Sequence, residues 1–290
     1  MGEPAQRNVA DVLTAGSEYL AKKGVENAGL VCKLLLGRLL GCKHLELPTR
    51  FSQVLGEKHL AAMRRGLQRV GGGEPVQYVV GETGFMGHTF KTDKRALIPR
   101  PETEILVRQV LDWEPLWRME TPRIVDIGTG SGCIVISLAL ERPGAVYAAF
   151  DTSAEALALA RENALELGVA GNVAFFDEEL SEVIEPQTAH AVVSNPPYVA
   201  TADYAELPAN IRLHEPRRAL DGGSTGLSVI ESVIQDGAII LAPGGAIFIE
   251  IGETQGREAA GMLEQEGFEH IAVARDLAGR PRVVRGVIPA

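Results

Sequence analysis

Apolar positions in the first 73 residues recur every three or four places. Val9, Val12, Leu13, Tyr19 and Leu20 follow this spacing, Ala28 to Leu40 is a denser run that stops at Gly41, and residues 55–70 close on Gly71-Gly72-Gly73. That period is the one a helix with a single buried stripe requires, so residues 1–73 are expected to form a small bundle of four or five short helices. The pattern then changes. Tyr78-Val-Val and residues 85–90 are short strand-like runs around Gly81-Glu-Thr-Gly84, which predicts a β-hairpin linker over residues 74–100.

From residue 101 helical and strand-like segments alternate. Helices are expected at 102–117, 132–140, 153–167, 227–241 and 255–266. Strands are expected at 123–127, 145–150, 173–176, 189–194, 246–251, 270–274 and 282–287. Apolar strands alternating with helices imply a parallel sheet covered on both faces. The last two strands follow each other without a helix, so one of them should run antiparallel. The expected fold class is α/β: a seven-stranded, mostly parallel sheet over 101–290, preceded by the helical unit.

Composition narrows the class. With 46% hydrophobic and 23% charged residues the 290-residue chain can bury a core. Its formal charge is −10, divided as +3 over residues 1–90 and −13 over residues 91–290. The acidic balance disfavours a protein that lives on nucleic-acid phosphates. Cys32, Cys42 and Cys133 are too few for a disulfide framework, and no Cys/His spacing suggests a metal. The start lacks the apolar run of a signal peptide, and no stretch reaches about 18 apolar residues, so neither export nor a membrane span is expected. A cytoplasmic location follows as the expectation.

Val125-Asp126-Ile127-Gly128-Thr129-Gly130-Ser131-Gly132 follows one expected strand and opens a helix. Glycines there let the chain turn sharply and let a ligand approach the backbone. The dinucleotide fingerprint G-x-G-x-x-G would need a glycine where Cys133 stands; here the third glycine falls one place earlier. Asp126 would repel a pyrophosphate but suits a cationic or hydroxyl-bearing ligand. S-adenosylmethionine fits, because it has no phosphate and carries an ammonium and a sulfonium. Asp151, ending the second strand, is placed to accept from ribose hydroxyls. Asp177, after the third strand, falls where adenine would lie; its plain alternative is a solvated acid, since Glu178 and Glu179 follow. Cys133 reads as a small buried helix residue.

Ser194-Asn195-Pro196-Pro197-Tyr198 follows the fourth strand. The prolines stiffen the turn and leave carbonyls as acceptors with no N–H at 196 and 197. Asn195 Oδ1 and the Pro196 carbonyl could each accept one N–H of a planar NH2 group, with Tyr198 stacking on its plane. Such a nitrogen is a poor nucleophile because its lone pair is delocalised. Two acceptors restore electron density and aim it at a methyl carbon, so catalysis would rest on positioning and electrostatics without a metal.

Together these residues resemble a class I S-adenosylmethionine-dependent methyltransferase, with its Rossmann-like fold. Further blocks resemble the release factor glutamine N5-methyltransferases: Gly73-Glu-Pro-Val-Gln-Tyr78, Leu97-Ile-Pro-Arg-Pro-Glu-Thr-Glu104, Glu215-Pro-Arg-Arg-Ala-Leu-Asp-Gly-Gly223 and Glu250-Ile-Gly-Glu-Thr-Gln255. The resemblance implies methylation of the glutamine amide in the Gly-Gly-Gln loop of bacterial release factors, with S-adenosylhomocysteine as product. It also implies a cytoplasmic enzyme whose helical unit recognises the protein substrate. It assigns cofactor contacts to Asp126, Gly128, Thr129, Gly130, Ser131, Gly132, Asp151, Asp177, Glu178 and Asn195. Substrate contacts fall to Asn195, Pro196, Pro197 and Tyr198, with Asn195, Pro196 and Tyr198 as the catalytic group. Some relatives carry an aromatic residue after the acid matching Asp177; here it is Glu178, so an adenine stacking contact does not carry over.

The tetrad alone also suits a ribosomal-protein glutamine or an exocyclic amine of DNA or RNA, since each offers a planar NH2. The acidic catalytic unit argues against a stable nucleic-acid partner. A non-catalytic binding protein on the same scaffold is the alternative of another class, and the intact tetrad and loop argue against it. Arg100 in the 99–104 block is expected either in a structural ion pair or as a pocket wall, with Pro101 in the first turn of a helix. His190 is expected to be structural. The sequence is silent on oligomeric state, for which a monomer is the default.

Overall fold

The computed structural model describes residues 7–290, which fall into two compact units. One runs to Glu82 and includes Pro208–His214; the other comprises Thr83–Leu207 and Glu215–Ala290.

The first unit contains α1 (Val9–Lys22), α2 (Ala28–Leu40), α3 (Glu57–Gly71) and α4 (Val76–Val80), with a later short helix, Ala209–His214, which is α10 in chain order. Asn8 caps α1 by accepting from the Asp11 N–H, and Asp11 reciprocates on the Asn8 N–H. Gly41 closes α2 in the left-handed conformation, as its position in the sequence suggested. Val12, Leu20, Leu35, Leu36, Met63 and Val70 form the shared core. A side chain at Gly16 would sit 2.6 Å from Cys32 Sγ, so the glycine permits close approach of α1 and α2.

One expectation is corrected here. Residues 78–80 are helix, not strand. Val76, Val79 and Val80 pack on the first unit's core at spacings of three and four, between Pro75 at the N-cap and a left-handed Gly81 at the C-cap. Burial at a helical period overrides the β-preference of valine and tyrosine.

The hairpin lies further on, as β1 (Glu82–Phe85) and β2 (His88–Lys91), turning at Met86-Gly87, both at positive φ. The turn is therefore not at residues 81–84. Phe85 and Phe90 meet edge to face at 6.0 Å, buried in the core of the second unit. The helix expected over 102–117 is two, α5 (Thr103–Leu111) and α6 (Glu114–Trp117). Pro115 has no N–H to continue the ladder, which breaks it. Pro101 lies before the N-cap, Glu102, rather than in the first turn.

The remaining elements are β3 (Arg123–Ile127), α7 (Cys133–Glu141), β4 (Val146–Phe150), α8 (Ala154–Glu166), β5 (Val173–Phe176), the short α9 (Leu180–Val183) and β6 (Ala189–Ser194). After α10 come α11 (Ser228–Ile240), β7 (Leu241–Glu250), α12 (Gly256–Gln265), β8 (Glu269–Arg275) and β9 (Pro281–Val287). The seven strands order as β5-β4-β3-β6-β7-β9-β8. All neighbouring pairs are parallel except those of β9, which runs antiparallel to both β7 and β8. Two apolar clusters within this unit bury most of the sheet's side chains. Among the described residues no helix is long and apolar enough to cross a membrane.

Candidate active site

Register sets the site. Ile127 pairs with Ser194 on neighbouring parallel strands, so the glycine loop and the Asn-Pro-Pro-Tyr segment leave the sheet side by side. Ser194 Oγ donates to the Ile127 carbonyl at 2.6 Å and locks the two together. Ile127 also pairs with Phe150, and Phe150 with Phe176, which brings Asp151 and Asp177 to the same edge. This is the point where strand order reverses, the position at which open α/β sheets bind ligands.

A cavity of about 620 Å³ opens there. Of the residues singled out in the sequence, Gly128, Thr129, Gly130, Ser131, Asp151, Asp177, Glu178, Asn195 and Pro197 line it. Gly128 and Gly130 have φ of 77° and 58°, a region side chains rarely adopt. The Gly128 and Thr129 N–H groups both donate to the Phe150 carbonyl, at 2.8 and 2.9 Å. The Gly130 N–H donates to Asp151 Oδ2, and the Ser153 N–H to Oδ1, each at 2.8 Å. Each carboxylate oxygen keeps a further acceptor site, so Asp151 can still take two hydroxyls of a ribose.

The rest of the lining favours a phosphate-free ligand. Asp177, Glu178, Glu179 and Asp236 add negative charge. The lining arginines are each engaged: Arg95 with Asp93 and Glu162, Arg100 with Glu215 at 2.5 Å, and Arg218 with Glu155 at 3.7 Å. Arg100 meets both expectations for that block, lining the cavity and pairing with Glu215. Glu215 is buried, also accepts from the Ile98 N–H at 3.2 Å, and anchors this wall of the cavity. The cavity's size falls within the usual range for small-molecule sites. Volume, acidic lining and the carboxylate at the loop thus fit S-adenosylmethionine.

Two loop residues do other work. Asp126 is fully buried and is not part of the cavity wall. Its Oδ2 accepts from the Thr129 hydroxyl at 2.7 Å, which fixes the loop, and its Oδ1 has no hydrogen-bond partner. Burial pushes its carboxyl up to about 7. Gly132 packs inward: a Cβ there would lie 2.7 Å from Ile136 Cδ1 and 3.1 Å from Ala160 Cβ. Its role is the contact between α7 and α8. Cys133 is a buried helix residue, its thiol pushed up to about 12 by desolvation. His190 Nδ1 accepts from the Arg123 N–H at 3.0 Å and binds β6 to β3.

The tetrad is held from three sides. Asn195 Nδ2 donates to Thr103 Oγ1 at 3.1 Å. With the nitrogen committed, Oδ1 is the atom left for a ligand. Pro196 is buried, and Tyr198 is largely buried beside the cavity without lining it. Gln255 Nε2 donates to the carbonyls of Tyr198 and Gly226 at 3.0 and 3.1 Å, while its Oε1 accepts from the Gly252 N–H at 2.8 Å. The Val199 N–H donates to the Leu220 carbonyl at 2.9 Å, and the Gly222 N–H donates to the Val199 carbonyl at 2.8 Å. A Cβ on Gly222 would meet the Pro197 carbonyl at 2.5 Å, and one on Gly226 would meet the Tyr198 carbonyl at 2.5 Å. These glycines let that loop press directly on the tetrad's backbone.

Sequence reasoning missed Thr103, Gln255 and Gly226 as parts of this assembly. Thr103 and Gln255 lie within the resembling blocks, but only chain folding brings them to Asn195 and Tyr198.

Comparison with known proteins agrees with the geometry. Residues 11–81 match the PrmC N-terminal domain family, and residues 102–225 match the Methyltransferase small domain family. A release factor glutamine methyltransferase of Geobacter sulfurreducens is 38% identical over 99% of both chains. One from Cereibacter sphaeroides is 36% identical over 97% of this chain and 99% of its own. One from Moorella thermoacetica is 38% identical over 91% of this chain and 92% of its own.

Proposed function

The chain belongs to the release factor glutamine methyltransferase family, and we propose that it methylates the N5 amide nitrogen of the glutamine in the Gly-Gly-Gln motif of peptide-chain release factors. The observation that carries this is Asn195, which lines the cavity beside the glycine loop and gives its amide nitrogen to Thr103, leaving Oδ1 as its acceptor. An acceptor is what a substrate NH2 needs.

S-adenosylmethionine, when bound, supplies a methyl group on a sulfonium centre. The Gly128–Ser131 backbone gives it room, and Asp151 holds its ribose. Asp177 and Glu178 stand at the adenine end. Asn195 Oδ1 and the Pro196 carbonyl each accept one N–H of the glutamine amide. Both contacts polarise those bonds and turn the nitrogen lone pair toward the incoming carbon. Pro197, in the cavity wall, confines the amide plane, and Tyr198 backs the tetrad beside the cavity. The contribution is orientation plus preorganised dipoles, which need no reorganisation during the reaction.

The helical unit, slightly basic against an acidic second unit, is the part we assign to docking the release factor. It carries an open groove of about 240 Å³ lined by Leu35, Leu39, Met63, Arg65 and Val79. The protein acts as a cytoplasmic monomer in this reading, without a stable nucleic-acid partner.

The test pairs a release factor with a variant of it whose loop glutamine is replaced. Incubation with methyl-labelled cofactor should label the first and not the second. Equal labelling of both, or labelling of neither by folded, cofactor-binding enzyme, overturns the assignment.

A further inference from the structure

α8 buries one polar side chain, Asn163, which is 1% exposed and does not line the cavity. Each of its polar atoms is engaged. Oδ1 accepts from the Lys91 N–H at 2.7 Å, and Nδ2 donates to the Lys91 carbonyl at 3.2 Å and to the Ser131 carbonyl at 3.0 Å. A backbone N–H only donates and a carbonyl only accepts, so these partners permit a single orientation of the amide.

The partners stand at the roots of two cavity walls. Ser131 belongs to the glycine loop and lines the cavity. Lys91 ends β2, from which the chain runs on to the other wall, Arg95 to Arg100. The walls come close at Gly130, where an added Cβ would stand 4.0 Å from Ala96 Cβ. One face of α8 carries both. Ala156 and Leu159 pack with Ala96, Ala160 lies against Gly132, and Asn163 joins Ser131 to Lys91. Positions 156, 159, 160 and 163 follow the helical spacing of a single stripe.

Glu162 adds ion pairs to Lys91 and Arg95, but these side chains are 23–45% exposed and such pairs contribute little. The buried amide differs. Without its Nδ2 the Ser131 carbonyl is left unpaired, and it regains a partner only by moving toward water and taking the loop with it. We propose that Asn163 is a positioning residue for the cofactor: it fixes the separation of the glycine loop from the 95–100 wall, and with it the affinity for S-adenosylmethionine. It does so without touching the ligand, and independently of which NH2 group is methylated.

Calorimetry with S-adenosylhomocysteine, on the full-length chain without release factor, tests this. Asn163→Leu roughly keeps the volume and removes donor and acceptor together; its Kd should rise roughly 10-fold. Asn163→Asp gives a sharper reading. Burial raises a carboxyl by at most about 3–5 units from about 3.9. At about pH 6 the new carboxyl should keep its proton, donate to Ser131 and leave Kd near wild type. At about pH 9 it should be ionised, with Kd approaching that of Asn163→Leu. Lys91, Asp93, Arg95 and Glu162 form the charged network beside it. Pairing holds Asp93 and Glu162 low and Arg95 high, so those three do not titrate in that range. Buried Asp126, pushed up to about 7, is shared by every variant and cancels in the ratio to wild type. Leu263→Ala is the control: it opens the core on α12, away from both walls, and should lose melting temperature at wild-type Kd. Wild-type Kd in a folded Asn163→Leu, or an equal rise in Leu263→Ala, overturns the proposal. So does an Asn163→Asp ratio that is the same at both pH values, which decides the matter if Asn163→Leu does not fold. Failure of the wild-type chain to bind at all would instead remove the cofactor reading on which this rests.

Discussion

Gly222 offers a severe test of the claim that the tetrad's backbone position sets the rate. Its φ is not in the left-handed region, so alanine meets no intrinsic strain there. The obstacle is space. The new Cβ would lie 2.5 Å from the Pro197 carbonyl oxygen, 2.9 Å from the Gly226 carbonyl oxygen and 2.9 Å from the Tyr198 Cα. All three are backbone atoms, so no side chain can swing away. An ordinary carbon-to-carbonyl contact is about 3.3 Å, so the Pro197 peptide and the 220–226 loop must separate by about 0.8 Å. Overpacking of this kind costs about 1–3 kcal/mol of stability. Displacement of a positioned group by close to 1 Å costs about 100-fold in rate, or about 2.7 kcal/mol of activation energy. Gly222→Ala should thus show a kcat reduced by about 10- to 100-fold in labelled-methyl transfer. Its cofactor affinity by calorimetry should be near wild type, because Gly128–Ser131 and Asp151 lie on other strands' ends. Gly261→Ala is the companion, a helical position with nothing within 4 Å of the added carbon. It should keep full activity and gain about 0.5–1 kcal/mol. Wild-type kcat in a folded Gly222→Ala enzyme would refute the reasoning.

Other consequences can be measured in parallel. Asn195→Ala should lower kcat by about 100- to 1000-fold while S-adenosylmethionine still binds; comparable loss of both in titration and turnover would remove its special role. Asp151→Ala strands the Gly130 and Ser153 N–H groups and removes the ribose acceptor, so cofactor Kd should rise by about 10- to 100-fold, as read by calorimetry. Buried Asp126 titrates near 7 in the fold against an ordinary 3.8, so the folded chain holds a proton that the unfolded chain has lost between those values. That contribution to stability is full below about pH 3.8 and gone above about pH 7, and Asp126→Asn should flatten the fall in denaturation midpoint from pH 5 to 8; an unchanged slope counts against it. Arg65→Glu, in the groove of the helical unit, should raise KM for whole release factor with kcat and cofactor Kd unaltered; an unaltered KM would detach that groove from docking.

Period and chemistry were readable from the chain itself. Strands 123–127, 173–176 and 189–194 and the helix at 28–40 stand at the residues their apolar spacing marked, because side-chain burial on a fixed period is a local property. That one of the last two strands runs antiparallel followed from connectivity; that it is β9 did not. The glycine loop, Asp151 and Asn195 announced themselves because their chemistry needs particular side chains. Local signals failed where two of them conflicted. Residues 76–80 carry β-branched side chains, yet their neighbours' packing made them helix, and the hairpin turn moved to Met86-Gly87 in consequence.

What only the tertiary structure decided is which of the marked residues meet a ligand and what holds them. Asp126 and Gly132 belong to the same motif as Gly128 and Gly130, but the strand and helix that carry them turn the first into the loop's anchor and the second into a helix contact. Thr103 and Gln255 lie in blocks that marked a family but not their own task; they matter because α5 and the start of α12 are brought against the segment after β6, 92 and 57 residues away from their partners. Sequence specifies which groups can do the chemistry. Holding the Asn195 amide takes a hydrogen bond to Thr103 from a helix 92 residues away, and only folding assembles that.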